Sequence, residues 1–301
     1  MVKPTVGVLG ATSMVGKSLL PRLADAGWHV EALSRQARIA GQPVEEDARV
    51  VFRQFEKSDC DHATFLAGNG EITHWVSLAP IWVLPDYFPM LIAHRARRVV
   101  ALSSTSVFTK KTSSDLAEQS TADKLRNGEQ RFIAWAEANR IEWVILRPTL
   151  IYGLGRDRNI CEIARFIARF GFFPLFSAAQ GLRQPVHVED VAAACIAALQ
   201  STPAGHHAYD LSGAERLTYR EMIARVFRAM DKPERFIIVP LFIFRLAIAC
   251  MRIWPRFRSW SAAMAERMNT DLVFDHTDAM RDLGYAPRPF RPGKMDLPIP
   301  E

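Results

Sequence analysis

Apolar residues in this chain come in short unbroken runs, and the stretches between the runs carry apolar positions at helical spacing. Val6-Gly7-Val8-Leu9 is such a run, and Leu19, Leu20 and Leu23 follow it on one helical face. Gly27 to Arg35 reads as a turn and a second strand. A further run at Trp143–Leu146 reads as a strand. Before it the spacing predicts a helix that begins near Thr121 and passes through Lys124, Leu125, Glu129 and Phe132 toward Trp135. Strand and helix alternating in this way predict an α/β fold with a doubly wound parallel sheet.

The segment joining the first strand to the first helix is Gly10-Ala11-Thr12-Ser13-Met14-Val15-Gly16. A strand, a tight glycine turn and a helix, closing a βαβ unit of about 30 residues, is the architecture that binds a dinucleotide. The first glycine permits the turn, the backbone N–H groups at the helix start face a pyrophosphate, and the last glycine lets helix and strand pack closely. Gly10 and Gly16 fill the two outer roles, and the residues from Ala11 to Val15 line the turn. The second strand ends in Ser34-Arg35, where an acidic residue would receive the ribose hydroxyls of NAD. A guanidinium is permanently charged and forks onto phosphate oxygens, so Arg35 favours NADP(H) over NAD.

G-A-T-S-M-V-G resembles the G-A-T-G-x-x-G turn of extended and atypical short-chain dehydrogenases, with Ser13 in place of the middle glycine. Trp75 to Pro80 resembles that family's fourth strand, Val99 to Phe108 its fifth and Leu146 to Gly153 its sixth. Arg183-Gln184-Pro185-Val186-His187-Val188-Glu189-Asp190-Val191-Ala192 is similar to its R-x-x-x-H-V-x-D-V-A element, and Leu283-Gly284-Tyr285-Ala286-Pro287 to its closing L-G-Y/W-x-P. The nucleotide-sugar epimerase/dehydratase branch is the nearest kin. The resemblance implies a Rossmann-type dinucleotide domain over 1–153 with a return segment at 185–212. It also implies a smaller, mostly helical substrate lobe built from 154–184 and 213–301. Leu78, Ala79, Pro80 and Pro148 should approach the dinucleotide, Ser104 stands at the family's catalytic serine or threonine position, and Thr105 and Arg183 should meet substrate. Arg183 matches an arginine that contacts a substrate diphosphate, and Arg267 lies near a second one. The activity implied is that of an oxidoreductase or epimerase acting on a hydroxyl or keto group of a nucleotide- or lipid-linked sugar.

One part of the pattern is missing. Family members carry a tyrosine and, four residues later, a lysine whose cation lowers the phenol's pKa for proton exchange with substrate. The chain has five tyrosines, and none has a lysine four residues on. Aligning on Lys124 puts Ser120 at the tyrosine position, whereas aligning on Glu129 puts Thr121 there and Leu125 at the lysine. An aliphatic hydroxyl is a far weaker acid than a phenol. The proton chemistry is therefore rerouted, with Lys124, Tyr152 and the Lys110-Lys111 pair as candidates, or the protein binds its cofactor without turnover as a redox sensor or assembly subunit.

Lys and Arg outnumber Asp and Glu by 38 to 32, a balance that suits an anionic ligand. No nucleic-acid motif accompanies it. Cys60, Cys161, Cys195 and Cys250 form no C-x-x-C pair, His206-His207 has no further ligand at metal spacing, and no metal site is expected. The start of the chain has no signal-peptide pattern, so a cytoplasmic location is expected. The apolar stretch 236–258 is interrupted by Pro240, Arg245 and Arg252, and its longest charge-free run is nine residues, too short to span a bilayer. It suits packing in the substrate lobe, a lid over the active site, a subunit contact in a homodimer, or peripheral contact with a membrane surface. His187 and Asp190 are read as structural, fixing the return strand and capping a helix from Val191 to Leu199.

Overall fold

The computed structural model describes residues 4–35, 48–54, 71–110, 115–239 and 267–298. Its centre is a seven-stranded sheet made of β1 (Thr5–Leu9), β2 (His29–Ser34), β3 (Val50–Gln54), β4 (His74–Ser77), β5 (Arg98–Leu102), β6 (Glu142–Pro148) and β11 (His207–Leu211). The spatial order is β3-β2-β1-β4-β5-β6-β11, and every pairing is parallel. The order reverses between β1 and β4, so a crevice opens there at the carboxyl ends of the strands.

Helix α1 (Met14–Asp25) buries Leu19, Leu20 and Leu23 beside α6 (Val188–Gln200) on one face of the sheet. On the other face lie a 3₁₀ turn at Ile81–Tyr87, α2 (Phe88–Ala93), and α4 (Leu116–Ala138) with Leu125, Phe132 and Ala136 turned inward. The short α3 (Ser106–Thr109) links β5 to α4. Helix α4 begins earlier than its apolar spacing indicates, because Asp115 caps it by accepting from the Ala117 amide at 2.9 Å.

A third core forms the lobe beside the sheet. It joins α5 (Asn159–Phe170), β8 (Phe173–Phe176) and α7 (Tyr219–Ala229) through Ile160, Ile167, Leu175, Met222 and Phe227. Four short strands complete the pairings: β7 (Ile151–Tyr152) with β10 (Val186–His187), and β9 (Leu182–Arg183) with β12 (Leu217–Thr218). Beyond these, β13 (Phe236–Val239) runs parallel to β8, with Ile237 and Ile238 exposed. Among the described residues no helix is long and apolar enough to cross a membrane. Residues 240–258 of the stretch considered for membrane or subunit contact, and Cys60, Lys111 and Cys250, lie outside the described residues.

The last segment departs from the expected division. Helix α8 (Thr277–Leu283) and Tyr285 pack into the core shared by the sheet and α6, not into the lobe. The Tyr285 hydroxyl donates to the Ser212 carbonyl, and the Tyr209 hydroxyl donates to Asp282. Helix α6 starts at Val188, earlier than expected, because His187 itself is the cap and accepts from the Glu189 amide. Asp190 instead holds the Arg288 side chain and amide, both at 2.9 Å.

Candidate active site

The glycine turn folds as its sequence demands. Gly10 has φ +76°, and a Cβ there would meet the Ala79 amide nitrogen at 2.9 Å, so only glycine fits between the turn and the segment after β4. A Cβ on Gly16 would stand 2.1 Å from the Ala11 carbonyl oxygen. The amides of Gly10 and Ala11 both donate to the Leu33 carbonyl at the end of β2, and Thr12 Oγ1 lies 2.9 Å from Ser34 Oγ. These bonds tie the turn to the strand that precedes Arg35, whose side chain is exposed.

Ser13 stands where the family has a glycine. Its extended backbone (φ −63°, ψ 165°) is open to any residue, and its hydroxyl accepts from the Gly16 amide as the helix cap. The first turn of α1 holds no acid but does hold Lys17. Burial, and then the nearby Arg156 cation, lower the Lys17 pKa. A cation in the first turn of a helix that holds no acid is suited to a phosphate group, so the residues fit a pyrophosphate. Val15 is buried against the sheet, so it contributes packing and its backbone, not a side chain aimed at a ligand.

Across the crevice, Leu78, Ala79 and Pro80 line a cleft of about 260 Å³ with Ile81, Ser103 and Ser104. Thr121 and Leu125 line it from α4. Ser104 Oγ accepts from the Ser106 amide at 3.2 Å, which holds the side chain at the carboxyl end of β5. Ser103 Oγ donates to Glu129 Oε1 at 2.5 Å. The buried Glu129 also receives two parallel bonds from Arg147, Nε to Oε1 at 2.9 Å and Nη2 to Oε2 at 2.6 Å. Asp210 lies 3.9 Å from the same guanidinium, and burial pushes its carboxyl up to about 6. This cluster was not singled out in the sequence, because its members come from β5, α4, β6 and β11 and meet only when those elements pack.

Several expected site residues stand elsewhere. Successive helical residues are rotated by about 100°, so α4 can present either Thr121 and Leu125 or Ser120 and Lys124 to the cleft. It presents Thr121 and Leu125. Lys124 is exposed on a neighbouring groove with Trp82, Leu116, Ser120 and Asp123. Thr121 donates its hydroxyl back to the Ala117 carbonyl at 2.9 Å. Tyr152 is buried in the lobe core, edge-on to His187 and Phe290, and burial pushes its phenol up to about 12. Among the described residues no tyrosine lines the cleft. Thr105 is buried too, and both its amide and its hydroxyl donate to the Pro148 carbonyl. That contact links the end of β6 to the start of α3.

The two arginines expected to grip a diphosphate are engaged with the protein. Arg183 is buried and donates to the carbonyls of Leu182 (2.8 Å), Thr270 (2.7 Å) and Arg267, with its guanidinium over the Tyr219 ring. Burial lowers its pKa to about 10. Arg267 forms an ion pair with Glu118 at the start of α4.

The NAD dependent epimerase/dehydratase family matches residues 6–211. A UDP-glucose 4-epimerase of Vibrio cholerae is 25% identical over 118 residues, covering 39% of this chain and 36% of the relative. A Streptomyces griseus (4-alkanoyl-5-oxo-2,5-dihydrofuran-3-yl)methyl phosphate reductase is 27% identical over 296 residues, 94% of each chain. Three of the curated relatives are matched over only 36% to 60% of their own length. Among solved structures, a UDP-glucuronic acid 4-epimerase from Bacillus cereus in complex with NAD superposes with a TM-score of 0.73 at 15% identity, covering 98% of this chain and 94% of that one. The parallel sheet, the glycine turn and the serine-lined cleft agree with the family match, and the chain belongs to the NAD dependent epimerase/dehydratase family.

Proposed function

We propose that this protein binds NADP(H) and carries out oxidoreductase or epimerase chemistry at a hydroxyl or keto carbon of a nucleotide- or lipid-linked sugar. The observation that carries the reading is the cleft itself: Ser103 and Ser104 at the end of β5 face Leu78–Pro80 beside a turn that fits a pyrophosphate. The turn Gly10–Gly16 would hold the pyrophosphate, Lys17 and Arg156 would supply cations nearby, and Arg35 would receive the extra phosphate of NADP. A bound nicotinamide supplies reversible hydride exchange with a carbinol carbon. Ser104 Oγ accepts from a backbone amide, so its own proton can be donated to a substrate oxygen, orienting it and stabilising charge that builds there. Leu78, Pro80, Ile81 and Leu125 form the apolar side of the cleft.

A screen of nucleotide sugars and keto sugars with NADP(H), read at the absorbance of the reduced nicotinamide or by product chromatography, tests this reading. Turnover that is lost in Ser104→Ala supports it. Tight NADPH binding without turnover on any sugar would count against it and favour the second reading, a non-catalytic binder. One observation favours that alternative: Thr121 and Leu125, not a phenol and an ammonium, face Ser104. Such a protein would change its partner affinity with cofactor, so pull-downs that recover the same partners with and without NADPH would remove its support.

A further inference from the structure

We infer that Ser103 and Glu129 form a proton relay that leads from the cleft to a second cavity, taking the place of the absent phenol. The inference rests on the catalytic reading above and adds the route by which the proton moves. Ser103 lines the cleft with Ser104. Its hydroxyl proton is donated to Glu129 Oε1 at 2.5 Å, so its oxygen lone pairs remain to accept a proton from a substrate hydroxyl.

Glu129 is hydrogen-bonded to a residue of the cleft and itself lines a second space. That cavity, of about 460 Å³, is lined by Phe108, Arg126, Gln130 and Arg147 as well as Glu129. The carboxylate thus touches the cleft through Ser103 and reaches this outer cavity directly. The charged groups around it are Arg147 from β6, Arg126 from its own helix, and Asp210 from β11. Arg147 keeps the carboxylate oriented by two bonds and lies over the Phe108 ring. A fixed carboxylate at the end of a single hydroxyl is a base whose reach into the cleft is set by the serine alone.

In the oxidative direction the substrate O–H bond breaks and a bond forms from that proton to Ser103 Oγ. Ser103's own O–H bond breaks and its proton passes to Glu129 Oε1. The hydride on the same carbon goes to a nicotinamide dinucleotide as oxidant, so the alcohol becomes a ketone and charge balances. The reverse sequence serves reduction. Ser104 donates to the substrate oxygen and stays outside the relay, while Glu129 acts only through Ser103.

Ser103→Ala removes the relay without disturbing the Glu129–Arg147 pair, so this variant should fold. It is expected to bind NADPH within about twofold of the parent but to lose roughly 10²–10³-fold in kcat. Ser103→Thr, which restores a hydroxyl, should recover much of the rate. Glu129→Gln should match Ser103→Ala in kcat. A measurement independent of turnover is the Glu129 carboxylate resonance in cofactor-free protein labelled with 13C-glutamate, assigned by its loss in Glu129→Gln. It should move in Ser103→Ala and return toward its position in Ser103→Thr. Parent turnover with an unchanged rate in Ser103→Ala overturns the relay alone, as does a resonance that ignores Ser103. A parent protein that binds NADPH and turns over no sugar overturns the catalytic reading and the relay with it.

Discussion

The guanidinium of Arg183 donates to the backbone carbonyl of Arg267, so the two cations expected to clasp a diphosphate meet as side chain and main chain. Arg183 therefore links β9 to the start of the last described segment through three carbonyls, a role in which its charge is already solvated by the protein. Removing it would take one donor from each of these carbonyls, of which Leu182 and Arg267 also accept from the Leu272 and Thr270 amides. Arg183→Met is expected to cost about 1–3 kcal/mol of stability, measured by urea unfolding, with little change in nucleotide-sugar binding to the variant that remains folded. A large loss of sugar-nucleotide affinity at unchanged stability would return Arg183 to the substrate site.

Ser104, Lys124 and Tyr152 should separate cleanly on substitution. Ser104→Ala should lower kcat by at least 10²-fold at constant melting temperature. Lys124→Ala should leave kcat within twofold, since Lys124 faces another groove. Tyr152→Phe should keep activity and lose about 1 kcal/mol of stability, the cost of one buried hydroxyl contact.

Cofactor choice should follow Arg35. Arg35→Asp places an acid where the adenosine ribose would lie, and isothermal titration should show NADPH affinity falling at least tenfold while NADH affinity rises. Equal loss for both dinucleotides would place the adenosine phosphate elsewhere.

Gly16→Ala forces a methyl group against the Ala11 carbonyl, which belongs to the turn and cannot move aside as a side chain tip would. It should lower stability by about 1–3 kcal/mol and weaken binding of either dinucleotide, both read from thermal shift with and without ligand.

Asp210 makes stability depend on pH in the sense opposite to most carboxylates. Its ordinary value of 3.8 applies unfolded, and burial raises it to about 6 in the fold. The folded state thus binds the extra proton between these values, and stability falls as pH rises from about 4 through 6. Asp210→Asn should be more stable than the parent by about 1–3 kcal/mol at pH 7.5, with the advantage fading toward pH 4. Chemical denaturation across that range measures it.

What could be read from the chain alone follows from how local each signal is. The β1–turn–α1 unit was legible because its glycines, its apolar run and its helical spacing lie within thirty residues and report one local geometry. The beginning of α4 was not, since Leu116 is exposed and the first turns carry no apolar stripe; only Asp115 marks the start. Which face of α4 meets the cleft was left open between two alignments, and packing against the 3₁₀ turn at Ile81–Tyr87 decides it. Tyr152 and Thr105 were read as pocket groups from position along the chain, yet each satisfies a neighbour inside the core. The Ser103–Glu129–Arg147 contact joins residues 18 and 26 positions apart and has no local signature.

Arg98, at the start of β5, pairs with Glu142 at 2.7 Å and sends one nitrogen to the carbonyls of Ala198, Leu199 and Ser201, the unsatisfied end of α6. That plug denies α6 the fraying ordinary at a helix terminus. Amide exchange in Cys195–Ser201 should then proceed only through whole-molecule unfolding, and this unremarkable helix end should be among the slowest segments to take up deuterium.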